Sequence, residues 1–193
     1  MNITFNEERH EYVVDGLKIP SVSEIIRPLM VDVAEKGKPW LRDIAAERGT
    51  RIHEATMLLD YGEDIEVDYD IAGYLKAYHR FLDDYNPKWE GIETIVYHDG
   101  LQYAGTVDRY GYIDGAKTLV DIKTGAYNKY PMCAQLGAYI TALAKMNGFR
   151  AERAFDLMLS KDGTYQIKYI DHVASSLFVD CLAIYDTMKR RRK

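Results

Sequence analysis

Cysteine is almost absent from this chain. Cys133 and Cys181 are the two it has. They are too few for a disulfide framework or for a cysteine-only zinc or iron–sulfur site, so no iron–sulfur cluster is expected and both thiols read as reduced core residues. No apolar run approaches the ~18 residues that read as a membrane span. The first ten residues lack the basic start and apolar block of a secretory leader, so none is expected and the cytoplasm is the expected location. Positive charge is in deficit: the net charge is -5 over 193 residues. That argues against a protein that coats nucleic acid nonspecifically. It leaves room for an enzyme that acts on nucleic acid through clustered carboxylates and a cation. The dense basic run, residues 189–193, reads as a solvated helix end whose charge complements the helix dipole.

What is present fits one soluble domain. Hydrophobic residues make up 47% and charged residues 28%, an ordinary balance that supports a core without disulfide staples. No internal repeat, low-complexity tract or long linker interrupts it. Glu11 to Ile19 reads as a hairpin turning at Asp15-Gly16. Ser21-Val-Ser-Glu24 is a capping-box pattern that opens a short helix ending near Pro28. Pro39 suits the first position of a longer helix, which runs to Asp60 and closes at Tyr61-Gly62. From about Asp70, the positions Ile71, Tyr74, Leu75, Tyr78, Leu82 and Tyr85 follow helical spacing, and Asn86-Pro87 ends the run.

The pattern then changes. Trp89 to His98, Leu101 to Ile113 and Lys117 to Lys123 read as strands joined at Asp99-Gly100 and Asp114-Gly115. Pro131 to Met146 reads as a helix with Asn147-Gly148 as its end signal. Two further strands, Glu152 to Ser160 and Thr164 to Asp171, precede a last helix from about Ala174. The predicted class is therefore α/β: a mainly helical first part to about residue 87, then βββ-α-ββ-α forming a mixed sheet flanked by helices.

The chemistry concentrates in Gly105-Thr-Val-Asp-Arg and Leu119-Val-Asp-Ile-Lys-Thr-Gly125. Residues two apart on a strand share a face, so Asp121 and Lys123 point together while Ile122 turns to the core. If the two runs are neighbouring strands, Asp108 reaches the same point. Two carboxylates and the Ile122 backbone carbonyl offer an oxygen half-shell that suits Mg²⁺ or Mn²⁺ beside a phosphodiester. Such an ion polarises a phosphoryl oxygen and activates water. Lys123 would hold or deprotonate that water and offset charge on the phosphate. The bland alternative is a surface ion pair at a strand end.

His53 lies in Arg48-Gly-Thr-Arg-Ile-His-Glu on the long helix. It is read either as a further metal ligand, tilting preference towards Mn²⁺, or as an ordinary helix residue. His10, His79, His98 and His172 take the ordinary reading. Gly49, costly inside a helix, hints at close approach by a backbone or ligand. Gln135 and Tyr139 share one helix face. Gln135 is a candidate to bind a phosphate or the attacking water. Tyr139 either contacts DNA or packs beside Leu136 and Leu143. Arg48, Arg51, Lys129 and Tyr130 are candidate nucleic-acid contacts. Glu93 reads as a solvated strand residue in preference to an outer ligand.

Taken together these residues resemble the PD-(D/E)xK nuclease superfamily, and in particular its RecB-like exonuclease branch. The carriers are Gly49-x-x-x-His53, Gly105-x-x-Asp108, Asp121-Ile-Lys123 and Gln135-x-x-x-Tyr139, in that order, with Tyr12-Val-Val-Asp-Gly-Leu-Lys-Ile-Pro-Ser-Val-Ser similar to the start of phage members. The resemblance implies a restriction-endonuclease-like fold and Mg²⁺- or Mn²⁺-dependent cleavage of DNA. It implies metal ligation by His53, Asp108 and Asp121, with Lys123 as the catalytic lysine. It further implies a stand-alone exonuclease acting on linear DNA ends in recombination, replication or repair, in a bacterium or phage-infected host. Unwinding would have to come from a helicase or recombination partner. The rivals are a structure-specific endonuclease on the same fold, a silent DNA-binding module and an RNA-directed nuclease.

Overall fold

Turn chemistry sets the order of the strands. The computed structural model describes residues 2–6, 9, 11–30, 39–170 and 174–190, with the side chains of residues 39, 41 and 42 outside that description. His10, His172 and residues 191–193 of the basic tail also lie outside it. Three short strands, β1 (Ile3–Asn6), β2 (Glu11–Val14) and β3 (Leu17–Ile19), form an antiparallel sheet in that order. Asp15 and Gly16, at φ 47° and 84°, make the expected tight turn between β2 and β3. β1 has no counterpart in the sequence reading.

Ser21 then caps helix α1 (Val22–Ile25), its hydroxyl accepting the Glu24 N–H at 3.0 Å. A 3-10 turn, Arg27–Met30, carries Pro28 where the helix was expected to stop. Helix α2 (Pro39–Asp60) has the predicted bounds. Helix α3 (Ala72–Tyr85) ends at Asn86 in the left-handed conformation.

The second sheet has five strands in the order of the chain: β4 (Lys88–His98), β5 (Tyr103–Ile113), β6 (Ala116–Lys123), β7 (Arg153–Leu159) and β8 (Tyr165–Tyr169). β6 and β7 are parallel, joined through helix α4 (Lys129–Asn147), and the other pairs are antiparallel. Helix α5 (Ala174–Arg190) follows β8. The sheet is thus mixed and flanked by helices, as the βββ-α-ββ-α pattern predicts. One connection differs. Asp99-Gly100 is part of a four-residue turn, with Gln102 at φ 55° and Tyr103 opposite His98. His98 serves that turn, its Nδ1 accepting the Leu101 N–H at 3.1 Å.

Apolar packing divides by face. Ile52 of α2 and Tyr78 and Phe81 of α3 meet Ile122, Phe155 and Leu157 on one side. Val22, Tyr103, Leu136, Leu143 and Phe178 bring α1, α4 and α5 onto the other. Tyr12, Val14 and Ile19 of the small sheet pack on Tyr97 and Ala104. Gly105 permits the close approach of α4, because a Cβ there would stand 2.7 Å from the Tyr139 ring. Both cysteines are buried, and neither is in a disulfide. Among the described residues, no helix is long and apolar enough to cross a membrane.

Candidate active site

The site begins where two strands part. β5 and β6 are paired from Ile113 and Ala116 as far as Arg109 and Val120. Beyond that point β6 continues against β7 to Lys123, and β5 continues against β4. In the fork the Asp108 carboxylate replaces a ladder acceptor, its Oδ2 taking the Ile122 N–H at 2.6 Å. His53 of α2 enters the same fork, its Nε2 lying 3.1 Å from the Ile122 carbonyl oxygen. A carbonyl only accepts, so Nε2 carries the proton of that bond. Nδ1 faces the other way, 3.5 Å from Glu93 Oε1 and 3.6 Å from Asp108 Oδ1.

His53, Glu93 and Asp108 therefore offer one nitrogen and two carboxylate oxygens, all within 4.8 Å of one another. This is a donor set that suits Mg²⁺ or Mn²⁺ with an imidazole preference towards the latter. Glu93 is the residue the sequence reading set aside. A register shift between Trp89 and Gly91 realigns β4, and Glu93 adopts φ 45°, rare for a residue with a Cβ. Neither feature is visible as periodicity. The Ile122 carbonyl, read as a metal ligand, is engaged by His53 in this arrangement.

A buried arginine fixes the cluster from behind. Arg109 is fully buried. Its Nη1 donates to Glu93 Oε1 at 2.9 Å and to the Asp108 carbonyl at 2.7 Å, and its Nη2 donates to Thr56 at 3.2 Å. Its Nε donates to Asp60 at the end of α2. Asp60 also accepts from Tyr78 at 2.7 Å and Trp89 at 3.0 Å. The ion pair locks the helix that carries His53 to the strand that carries Asp108. Burial disfavours the charged guanidinium, but Tyr78 and the Asp60 carboxylate outweigh it and hold its pKa above the usual arginine value. An arginine amid the apolar residues of Thr106 to Ile113 was the available signal.

Asp121 and Lys123 share a face, as two residues apart on a strand must. The Lys123 ammonium lies in ion-pair contact with Asp121. It also donates to Gln135 Oε1 at 2.9 Å, and Gln135 Nε2 donates to the Tyr139 hydroxyl at 3.1 Å. Gln135 thus orients the lysine, and the buried Tyr139 orients Gln135. Of the two readings for Tyr139, the structure places it in the core. Asp121, expected as a metal ligand, faces the lysine and lies outside the donor set formed by His53, Glu93 and Asp108.

On the next strand Asp156 is in register with Asp121. It is 1% exposed, and neither of its oxygens has a hydrogen-bond partner among the described residues. A carboxylate inside the apolar run Ala154-Phe-Asp-Leu-Met-Leu159 needs a reason, and that was its unread signal.

Glu93, Asp108, Asp121 and Asp156 set a strongly negative field around His53 and Lys123. Burial works against a charged His53 ring, but Asp108 and Glu93, with Asp121 behind them, outweigh it and push its pKa up to about 9. Burial raises the Asp121 carboxyl; Lys123 opposes the rise and Asp108 adds to it. Burial, then the Asp121 charge, raises Asp156. Burial disfavours the Lys123 ammonium, but Asp121 and Asp108 more than offset it and raise its pKa. In the metal-free chain the neighbouring carboxylates thus favour the charged form of Lys123.

The remaining candidates are scattered. Arg51 is committed to Asp70, at 2.9 Å, and to Asp68, and so braces the start of α3. Arg48 stacks its guanidinium 5.6 Å over the Tyr74 ring, and its Nε has no hydrogen-bond partner among the described residues. Lys129 and Tyr130 are exposed at the start of α4, Tyr130 at 64%. Gly49 faces Thr124, but a Cβ there would stand 3.8 Å from the Thr124 hydroxyl. That is ordinary contact and leaves the expected close approach unsupported.

No protein-family model and no curated protein matches the chain. Among solved structures it is similar to LHK-Exo in complex with dAMP, at 13% identity and TM-score 0.39, covering 90% of this chain and 93% of that one. It is similar to SSO0001 at 16% identity and TM-score 0.36, covering 83% and 84%. A second structure of LHK-Exo, an alkaline exonuclease from Laribacter hongkongensis, matches at 15% identity and TM-score 0.36, covering 77% and 86%.

Proposed function

We propose that this chain is a divalent-metal-dependent deoxyribonuclease that hydrolyses phosphodiester bonds. The observation that carries the reading is the fork between β5 and β6, which gathers His53, Glu93 and Asp108 into one donor set beside the Asp121–Lys123 pair. The donor chemistry fits Mg²⁺ or Mn²⁺, and the unpartnered carboxyl oxygens of Asp156 add to a local excess of negative charge that a dication would relieve. His53 through Nδ1, Glu93 and Asp108 would hold the ion, with Asp121 adjoining. When bound, it supplies Lewis-acid polarisation of the phosphoryl oxygen and acidification of water.

The chain's own residues do the rest. Lys123, paired with Asp121 and aimed by Gln135, donates to a non-bridging phosphate oxygen and stabilises charge that grows in the transition state. Tyr139 holds Gln135 in the orientation that keeps the lysine forward. Arg109 holds Glu93 towards His53 and prevents it from swinging to solvent. The Ile122 amide fixes the Asp108 carboxylate, and the Ile122 carbonyl fixes the imidazole. Two backbone groups of one residue thereby set the spacing of two ligands.

A role at DNA ends, in recombination, replication or repair, rests on the likeness of the four motifs to the RecB-like exonucleases. Digestion of end-labelled linear DNA and of covalently closed circles, with Mn²⁺ and then with EDTA, tests it. Loss of linear substrate alone, abolished by chelator and by Asp108→Ala or Lys123→Ala, supports the reading. Cutting of closed circles points to an endonuclease. Undiminished cleavage in EDTA overturns the metal-dependent mechanism.

A further inference from the structure

A groove of about 600 Å³ opens beside the fork, bounded by Arg48, Thr124, Gly125, Tyr127, Lys161 and Lys168 among its lining residues. We propose that it holds the single-stranded DNA that flanks the scissile phosphate, a reading that rests on the nuclease assignment and extends it to a substrate form and a path.

Continuity comes first. Thr124 and Gly125 directly follow Lys123, so a strand whose phosphate meets the lysine enters the groove without a gap. The floor there is open, since a Cβ on Gly125 would meet nothing within 4 Å. The sheet links the two places as well. Asp121, Asp156 and Lys168 occupy consecutive register positions on β6, β7 and β8, so the row that starts at the site ends on a groove cation.

Charge is the second argument. The chain carries -5 overall, yet this lining sets Arg48, Lys161 and Lys168 against one carboxylate, Asp162. That carboxylate is occupied, its Oδ1 accepting from the Thr164 N–H at 3.0 Å and hydroxyl at 2.6 Å. A local reversal of sign in an acidic protein marks a place for an anion that recurs along a chain.

The third argument separates one strand from two. Tyr127 is 39% exposed, with the Lys168 ammonium 5.7 Å over its ring. An aromatic ring beside cations suits a base stacked next to its phosphate, and only an unpaired strand presents base faces. The walls are firm. The turn after β7 is held against α3 by Arg80, which donates to the Gly163 carbonyl at 3.2 Å, and by Gly73, where a Cβ would collide with the Lys161 carbonyl.

The test is fluorescence anisotropy of a labelled oligothymidylate and of its duplex, in Ca²⁺ and in EDTA, across a salt series. Each phosphate contact on a single strand contributes ~0.7 to the slope of log affinity against log salt, so Lys161→Ala/Lys168→Ala should reduce that slope by ~1.4. Tyr127→Ala should weaken binding about 5- to 160-fold, and Tyr127→Phe should restore it. Lys145→Ala, near the far end of α4, should leave both within about twofold. An unchanged slope in the double variant, Tyr127→Ala indistinguishable from wild type, or duplex held better through the same residues, overturns the proposal. Cleavage by the wild type is scored separately. Binding through these residues without cleavage keeps the groove and removes the nuclease, whereas cleavage with an unmoved slope does the reverse.

Discussion

Binding of Mn²⁺ should release close to one proton at neutral pH, and the source should be His53. The perturbation is the metal, and the magnitude follows from the carboxylates that face the ring. Asp108 and Glu93 push the imidazole up to about 9. At pH 7 the metal-free ring is then ~99% protonated, whereas an ordinary histidine near 6.5 would be ~25% protonated. A ligand nitrogen must be deprotonated to bind, so coordination through Nδ1 displaces that proton. Apparent affinity at pH 7 should be about 100-fold below its value in the limit of high pH and should rise about tenfold per pH unit until about pH 9. Calorimetry in buffers of different ionisation enthalpy reads the proton count directly. The expected release from His53 is ~1 at pH 7 and ~0.5 at pH 9, defined as the part that disappears in His53→Ala, which removes the contribution of Asp121 and Asp156. A His53-dependent release near ~0.25 at pH 7 would show an unperturbed ring and refute the electrostatic reasoning.

The metal-free protein should lose stability as pH rises, in two windows. The raised Asp121 and Asp156 carboxyls bind protons more tightly folded than unfolded, so ionising them above the ordinary carboxylate range weakens the fold. The contribution of His53 is complete below about 6.5 and lost as pH passes about 9. Thermal melts from pH 5 to 9 should therefore slope downward, and a rising profile would contradict the assignment. Saturating Mn²⁺ at about 100 times its Kd should add ~2.7 kcal/mol, a shift of about 5–10 °C for a chain of this size. Arg109→Met should cost about 3–5 kcal/mol in urea unfolding, because it leaves the buried Asp60 carboxylate without its cation and frees the partly exposed Glu93. A cost below ~1 kcal/mol would mean that the pair carries no net weight. Gly49→Ala should stabilise by about 0.5–1 kcal/mol with cleavage retained, since the methyl finds only ordinary contact with Thr124. Loss of cleavage in a stable Gly49→Ala protein would restore the close-approach reading.

Local rules carried much of the fold. Asp15-Gly16 and Asp114-Gly115 turn at positive φ as their chemistry requires, Ser21 caps α1, and Pro39 opens α2. The spacing of Asp121 and Lys123 fixed their shared face before any tertiary contact was known. What escaped depends on partners distant in the chain. β1 is four residues long and is defined by its pairing with β2. Glu93 joins the cluster through a bulge and a left-handed backbone that alternation does not encode. Arg51 was a plausible phosphate ligand until Asp68 and Asp70 claimed it. Arg109, Asp60 and Asp156 left only the trace of charge or polarity at otherwise buried positions. Gln135 and Tyr139 were placed on one face, but the hydrogen-bonded chain that joins them to Lys123 needed the helix set against the sheet.

The parting of β5 from β6 should create a seat for one dication. Anomalous diffraction at the manganese edge from crystals soaked in Mn²⁺ addresses it most directly. The expected result is a peak between His53 Nδ1, Glu93 and Asp108, lost in Asp108→Ala. A peak elsewhere, or none at saturating Mn²⁺, would contradict it.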